Sequence, residues 1–333
     1  MKIKFIIFLF LLSLGACKQK SKSMDNITPP IADSNKEKIT AQNFFQEQLK
    51  FVKRSSNEPL YYVFVNHEQC FFEILVNDVP RFRYFEEGSI MTPINLNNYI
   101  NRSGRQTITY RLYPQTKRGL QHLTEYTSIK IELYERNNAD TTNGFDNQKL
   151  LLTHRSSTKT DGKTFIADGK DYYEFSFDFD AKVPYQLEGW EDSKDLSKMD
   201  QKELLSKTKE AYQYYWYLIK DKKMDDYFRL IFKSNAAEIT TTYLGAEALK
   251  GSESEDKFIF NEPTFKLEPL INYKMQLYGN GKIVCLEQTS EDLRFKKESA
   301  IWGKYKTTEG ESRGWFSKLY LHIPKGKDTF EIL

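Results

Sequence analysis

The chain is poor in the residues that build metal and redox centres. It has three cysteines and four histidines in 333 residues. No CxxC or Cys/His metal spacing occurs, and His67, His122, His154 and His322 are dispersed, which argues against a His-rich metal centre. Charge of one sign is also lacking. Lys and Arg number 49 against 46 Asp and Glu, and this near balance argues against a nucleic-acid binder, which would carry a basic patch or stripe. No Gly-x-Ser-x-Gly elbow, phosphate loop, dinucleotide fingerprint or His-Glu-x-x-His site is present, and no repeat at a fixed period points to a solenoid. Beyond the first twenty residues no run is long or apolar enough to span a bilayer, which takes about 20 apolar residues. The mean hydropathy of −0.64 describes a water-facing body.

The first residues are different in kind. Lys2 and Lys4 precede an apolar run from Phe5 to Leu12, followed by small residues, the order of a secretory signal. The stretch Leu14-Gly15-Ala16-Cys17 resembles the lipobox of bacterial lipoproteins. That resemblance implies a signal peptide over 1–16, cleavage before Cys17, and lipidation of Cys17 with acyl chains such as palmitate. More than one chain is needed for a stable anchor, each buried methylene contributing about 0.8 kcal/mol. Residues 17–41 then read as a lipidated cysteine and flexible tether, polar and carrying Pro29-Pro30. The expected location is a bacterial cell envelope, membrane-anchored, on its periplasmic or surface side.

The remaining body of about 290 residues is long enough for two domains. Aromatic residues make up 15% of the chain, which suits strands. Residues 42–190 carry short alternating segments at 61–66, 70–77, 106–114, 128–136 and 172–181. Thr107, Thr109 and Arg111 alternate with Ile108, Tyr110 and Leu112; Glu174, Ser176, Asp178 and Asp180 alternate with Phe175, Phe177 and Phe179. This predicts an all-β sandwich. The segment Phe72 to Pro114 has Val76-Asn77-Asp78, Gly88, Pro93 to Tyr99 and Ser103-Gly104-Arg105 in an order that resembles the galactose-binding-like jelly roll, although Asp78 and Arg105 depart from that family's usual glycine and asparagine. The resemblance implies a scaffold or binding domain in which carbohydrate contacts lie on loops or an aromatic face.

Residues 191–333 read as an α+β domain with helices packed on a curved antiparallel sheet. Asp200 and Glu203 form a capping-box-like start to a helix with Leu204, Thr208, Ala211, Tyr215 and Leu218 on one face. Asp221 to Lys223 interrupts it, Met224, Tyr227, Phe228 and Ile231 begin a second helix, and a third is expected from Ala236 to Leu249, weakened by three threonines. "GSESEDK" at 251–257 reads as a charged loop, and Gly279-Asn280-Gly281 as a hairpin turn. Residues 200–333 loosely resemble the nuclear-transport-factor-two-like and cystatin-like cone folds, some of which are enzymes and many of which only bind. That resemblance implies Tyr215, Tyr227, Asp226 and His322 as pocket candidates.

Other chemistry is weighed against simpler readings. Cys70 and Cys285 alternate with apolar neighbours and are either buried thiols or a disulfide joining the two halves. Glu174, Asp178 and Asp180 have the oxygens a calcium ion needs but sit on what reads as a solvated strand face. No catalytic residue, metal site or cofactor is assigned, and ligand-binding residues stay unknown. The weight falls on a non-catalytic envelope lipoprotein that binds a protein or glycan partner and no nucleic acid. The alternatives are a tethered glycan-acting enzyme, which requires a cleft with convergent carboxylates of raised pKa, and an immunity or secretion accessory protein that binds a toxin.

Overall fold

The computed structural model describes residues 29–33, 39–140 and 146–333; Cys17, the signal and most of the expected tether lie outside these residues. Among the described residues the chain forms five α-helices and four antiparallel sheets, a mixed α+β protein with substantial β content. No helix among them is long and apolar enough to cross a membrane.

A short helix α1 (Phe44–Gln48) precedes eight strands: β1 (Pro59–Glu68), β2 (Cys70–Val76), β3 (Val79–Tyr84), β4 (Ile94–Asn95), β5 (Gly104–Pro114), β6 (Ser128–Asn137), β7 (Lys149–Arg155) and β8 (Tyr173–Ala181). They make two sheets, ordered β4-β1-β6-β7 and β3-β2-β5-β8. Val63 and Val65 of β1, Ile131 and Leu133 of β6, Phe72, Ile74 and Val76 of β2, and Ile108, Tyr110 and Leu112 of β5 share one buried cluster, an arrangement compatible with a β-sandwich. Cys70 lies in it, in phase with Phe72 as its alternation requires, and Cys70 and Cys285 are both free buried thiols, which removes the disulfide alternative. Asn77 and Asp78 both take positive φ, 50° and 63°, and turn β2 into β3 as short polar side chains can.

Strand β2 is buried on both faces. Its inner face enters the cluster shared by the two sheets, while Leu75 on its other face, with Val79 of β3, joins a second cluster to which the helices contribute. Helices α2 (Gln201–Lys220), α3 (Met224–Thr242), α4 (Ala246–Asp256) and α5 (Phe258–Asn261) lead into β9 (Lys266–Leu267), β10 (Tyr273–Tyr278), β11 (Ile283–Gln288), β12 (Trp302–Lys306), β13 (Ser312–Phe316), β14 (Leu321–His322) and β15 (Glu331–Ile332). These strands form sheets β10-β11-β14-β15 and β13-β12-β9.

Asp200 caps α2 through the backbone N–H groups of Lys202 and Glu203, and Leu204, Thr208, Ala211, Tyr215 and Leu218 are buried along it. The Tyr212 hydroxyl donates to the Leu319 carbonyl at 2.6 Å and accepts from the Leu286 N–H at 2.8 Å, fastening α2 to the sheet. Two local expectations are corrected. Helix α3 runs unbroken to Thr242, carried by the burial of Ile239 and Thr241, while the hydroxyls of Thr240 and Thr242 donate one turn back to Ala236 at 2.9 Å and Glu238 at 2.7 Å; the chain breaks instead at Tyr243, with φ of 52°. The 251–257 stretch is not a loop, since most of it extends α4. In the stretch expected to be tether, Ile31 bridges to Phe330 and is fully buried; just beyond it, Phe44 of α1 packs on Phe228 of α3 at 4.6 Å between ring centres.

Candidate functional site

The outer face of the β3-β2-β5-β8 sheet meets two environments. Over β2 and β3 it is covered by the C-terminal half, and here a carboxylate stands where an apolar residue is expected. Glu73, fully buried in the middle of β2, receives Arg83 Nε at 2.8 Å and the Lys297 ammonium at 2.5 Å. The same guanidinium reaches Glu287 of β11 at 2.5 Å. Tyr113 donates to Glu73 at 2.5 Å and Tyr278 to Glu287 at 2.7 Å. Burial works against ionisation of Glu73, but the charges of Lys297 and Arg83 and the hydrogen bonds outweigh it and hold the carboxyl below its usual range. Two acids and two bases therefore close a buried bridge between segments more than 200 residues apart.

Towards β8 the cover ends at the hairpin between β10 and β11 and leaves a polar cleft of about 560 Å3. Its floor is the polar side of β5 and β8, where Thr107 faces Asp178, Thr109 faces Ser176 and Arg111 faces Glu174. The hydroxyls of Thr109 and Ser176 lie 2.8 Å apart, Thr107 donates to Asp178 at 2.7 Å, and Arg105 pairs with Asp178 at 2.9 Å. One wall is the tip-to-tip contact of two hairpins: the Gly279 N–H donates to the Asp78 carbonyl at 3.1 Å and the Asn280 N–H to the Asp78 carboxylate at 2.8 Å. The other is Trp190-Glu191, with Glu191 accepting from Asn101 at 3.1 Å and Lys282 donating to the Glu191 carbonyl. Gly279 is required at this closure. It has φ of +59°, and an added Cβ would stand 2.6 Å from the Trp190 ring.

Arg111 lies between two acids, 2.5 Å from Glu174 and 3.9 Å from Asp78. Their environments differ. Burial raises the Asp78 pKa, with Asn280 and Arg111 opposing. For Glu174 burial is outweighed by hydrogen bonds from Tyr172 and Arg111, and its pKa falls. Of the calcium candidates Glu174, Asp178 and Asp180, the first two are paired with Arg111 and Arg105, and among the described residues no group of three or more His, Cys, Asp or Glu is placed to hold a metal ion.

A second cavity of about 380 Å3 lies between α2, α3 and the 98–101 segment, and it brings together Tyr215, Tyr227 and His322 of the sequence candidates. Tyr215 donates to Tyr227 at 3.3 Å and its hydroxyl lies 2.9 Å from that of Ser317. His322 is buried, with Nδ1 2.7 Å from the Ser193 hydroxyl, and burial lowers its pKa to about 4, so the ring is neutral at physiological pH. Glu331, opposite it on β15, is held by Lys233 at 2.9 Å and by Lys327 at 2.5 Å rather than by His322, so no nucleophilic triad forms. Asp226 is not in this cavity; it pairs with Arg229 one turn along α3. Trp190 lines both cavities.

Sequence reading gave the floor of the cleft as the polar alternation of β5 and β8 but missed its walls. Asn77-Asp78 and Gly279-Asn280-Gly281 read only as turns, and nothing local indicates that they touch. No family model matches the chain, and no curated protein or solved structure does.

Proposed function

We propose that the protein is a lipid-anchored, non-catalytic component of a bacterial cell envelope that binds a glycan in the cleft between β5, β8 and the 279–281 hairpin. The jelly-roll resemblance of residues 72–114 and the cone-fold resemblance of 200–333 enter this reading as proposals of the same kind. The observation that carries it is the character of the cleft. Its charged side chains balance in number, Asp78, Glu174 and Glu191 against Arg102, Arg105 and Lys282, and hydroxyls and amides lie between them. Such a surface suits a neutral polyhydroxylated ligand, which needs donors and acceptors in alternation. Each carboxylate is already engaged, Asp78 by a backbone N–H, Glu174 by Arg111 and Glu191 by Asn101. An engaged acid favours binding over proton transfer.

Full-length chain and a Cys17→Ser variant test both parts. The variant is expected in the soluble fraction, and titration of that soluble protein with envelope oligosaccharides should give saturable binding that Arg105→Ala weakens about tenfold, through loss of a charge-assisted hydrogen bond. A Cys17→Ser chain that stays on membranes removes the anchor; absence of binding by any saccharide, or binding unchanged in Arg105→Ala, removes the glycan.

One observation favours a second reading. Asp78 and Glu174 flank one guanidinium with pKa values moved in opposite directions, the pattern of an acid paired with an ionised partner in glycan hydrolysis. Release of reducing ends by the wild-type chain, abolished in Asp78→Asn, would replace binding with cleavage.

A further inference from the structure

The cavity at Tyr215 and His322 has a charge pattern unlike that of the cleft. Lys233 is paired with Glu331 at 2.9 Å and Glu188 at 3.6 Å, and Glu238 accepts from Asn98 at 3.1 Å. Arg81 and Lys318, on the same lining, have no carboxylate in ion-pair contact among the described residues. Arg81 is fixed by its Nε, which donates to the Asn95 carbonyl at 2.5 Å. Lys318 is exposed at the level of the whole residue and lines the cavity. Burial lowers its pKa; the carboxylate of Glu298 opposes this from beyond contact range, and Arg83 and Arg81 add to the lowering.

Arg81 and Lys318 stand on one concave, partly desolvated lining, which costs stability, and although Glu188 and Glu238 line the same cavity, no carboxylate among the described residues pairs by contact with either of these two cations. A hydroxyl pair, Tyr215 with Ser317, stands on the same lining and adds neutral donors. We propose that this cavity is a binding site for a small oxyanion or carboxylate group held between Arg81 and Lys318. The site is independent of the glycan cleft, and either can fail without the other.

Calorimetric titration of the full chain with inorganic phosphate and, separately, with glucuronate tests it. Saturable binding of at least one is expected, weakened at least about tenfold in both Lys318→Gln and Arg81→Gln, as loss of a charge-assisted contact requires. Lys304→Gln, which removes a lysine paired elsewhere with Glu268 at 2.6 Å, should bind as wild type does. Without ligand, Lys318→Gln should melt no lower than wild type, since it relieves repulsion. Binding of phosphate alone or glucuronate alone supports the site and identifies the group it takes. Binding of neither, or equal binding by wild type and both cavity variants, overturns it.

Discussion

Two arginines on the same sheet face hold two acids each, with opposite consequences. Arg83, 8% exposed, sits between Glu73 and Glu287, both almost fully buried, while Arg111, 17% exposed, sits between Asp78 at 33% and Glu174 at 40%. The first set is sealed under the C-terminal half and joins β2 to β11. The second stands at the cleft, where water reaches both of its acids. The ion-pair chemistry is shared, so the difference comes from solvent: a sealed charge depends entirely on its partners, whereas an open one can exchange them for a ligand.

The largest expected effect comes from breaking the sealed set. Arg83→Ala leaves Glu73 and Glu287 buried without their shared counter-ion and should cost about 3–5 kcal/mol, read as a fall in the urea midpoint. Acid should act on the same place. Because the folded-state pKa of Glu73 lies below the ordinary 4.5, its contribution is fully present above that value and is lost as pH falls through the folded pKa. Stability measured from pH 5 downwards should therefore drop more steeply in wild type than in Glu73→Gln, and equal slopes would show that the bridge carries no linkage. The smallest effect is expected from Arg111→Ala, at most about 1 kcal/mol by thermal unfolding, since water solvates the acids it leaves. A loss as large as that of Arg83→Ala would erase the distinction between the two sets.

Much of the fold was legible because its signals are local. Alternation marked β2, β5, β6 and β8, positive-φ residues marked the turns at 77–78 and 279–281, and Asp200 marked the start of α2. Strand β7 was missed because Leu150, Leu151 and Leu152 do not alternate, and it lies at a sheet edge where one neighbour suffices to hold it. The threonines of α3 misled through propensity, which tertiary burial of Ile239 and Thr241 overrides. Much less of the cleft was legible. Its floor follows from period two, but Trp190 and Gly279 reach it from distant parts of the chain. The buried bridge did leave one trace: Glu73 interrupts an otherwise apolar strand, and a charge so placed requires a partner that only the folded chain can supply.

Trp190 is 2% exposed and stands as the common partition of the two cavities. An occupant of either chamber would change the surroundings of the same indole. Its fluorescence would therefore act as one gauge for two ligands, reporting that something has arrived without saying on which side of the ring.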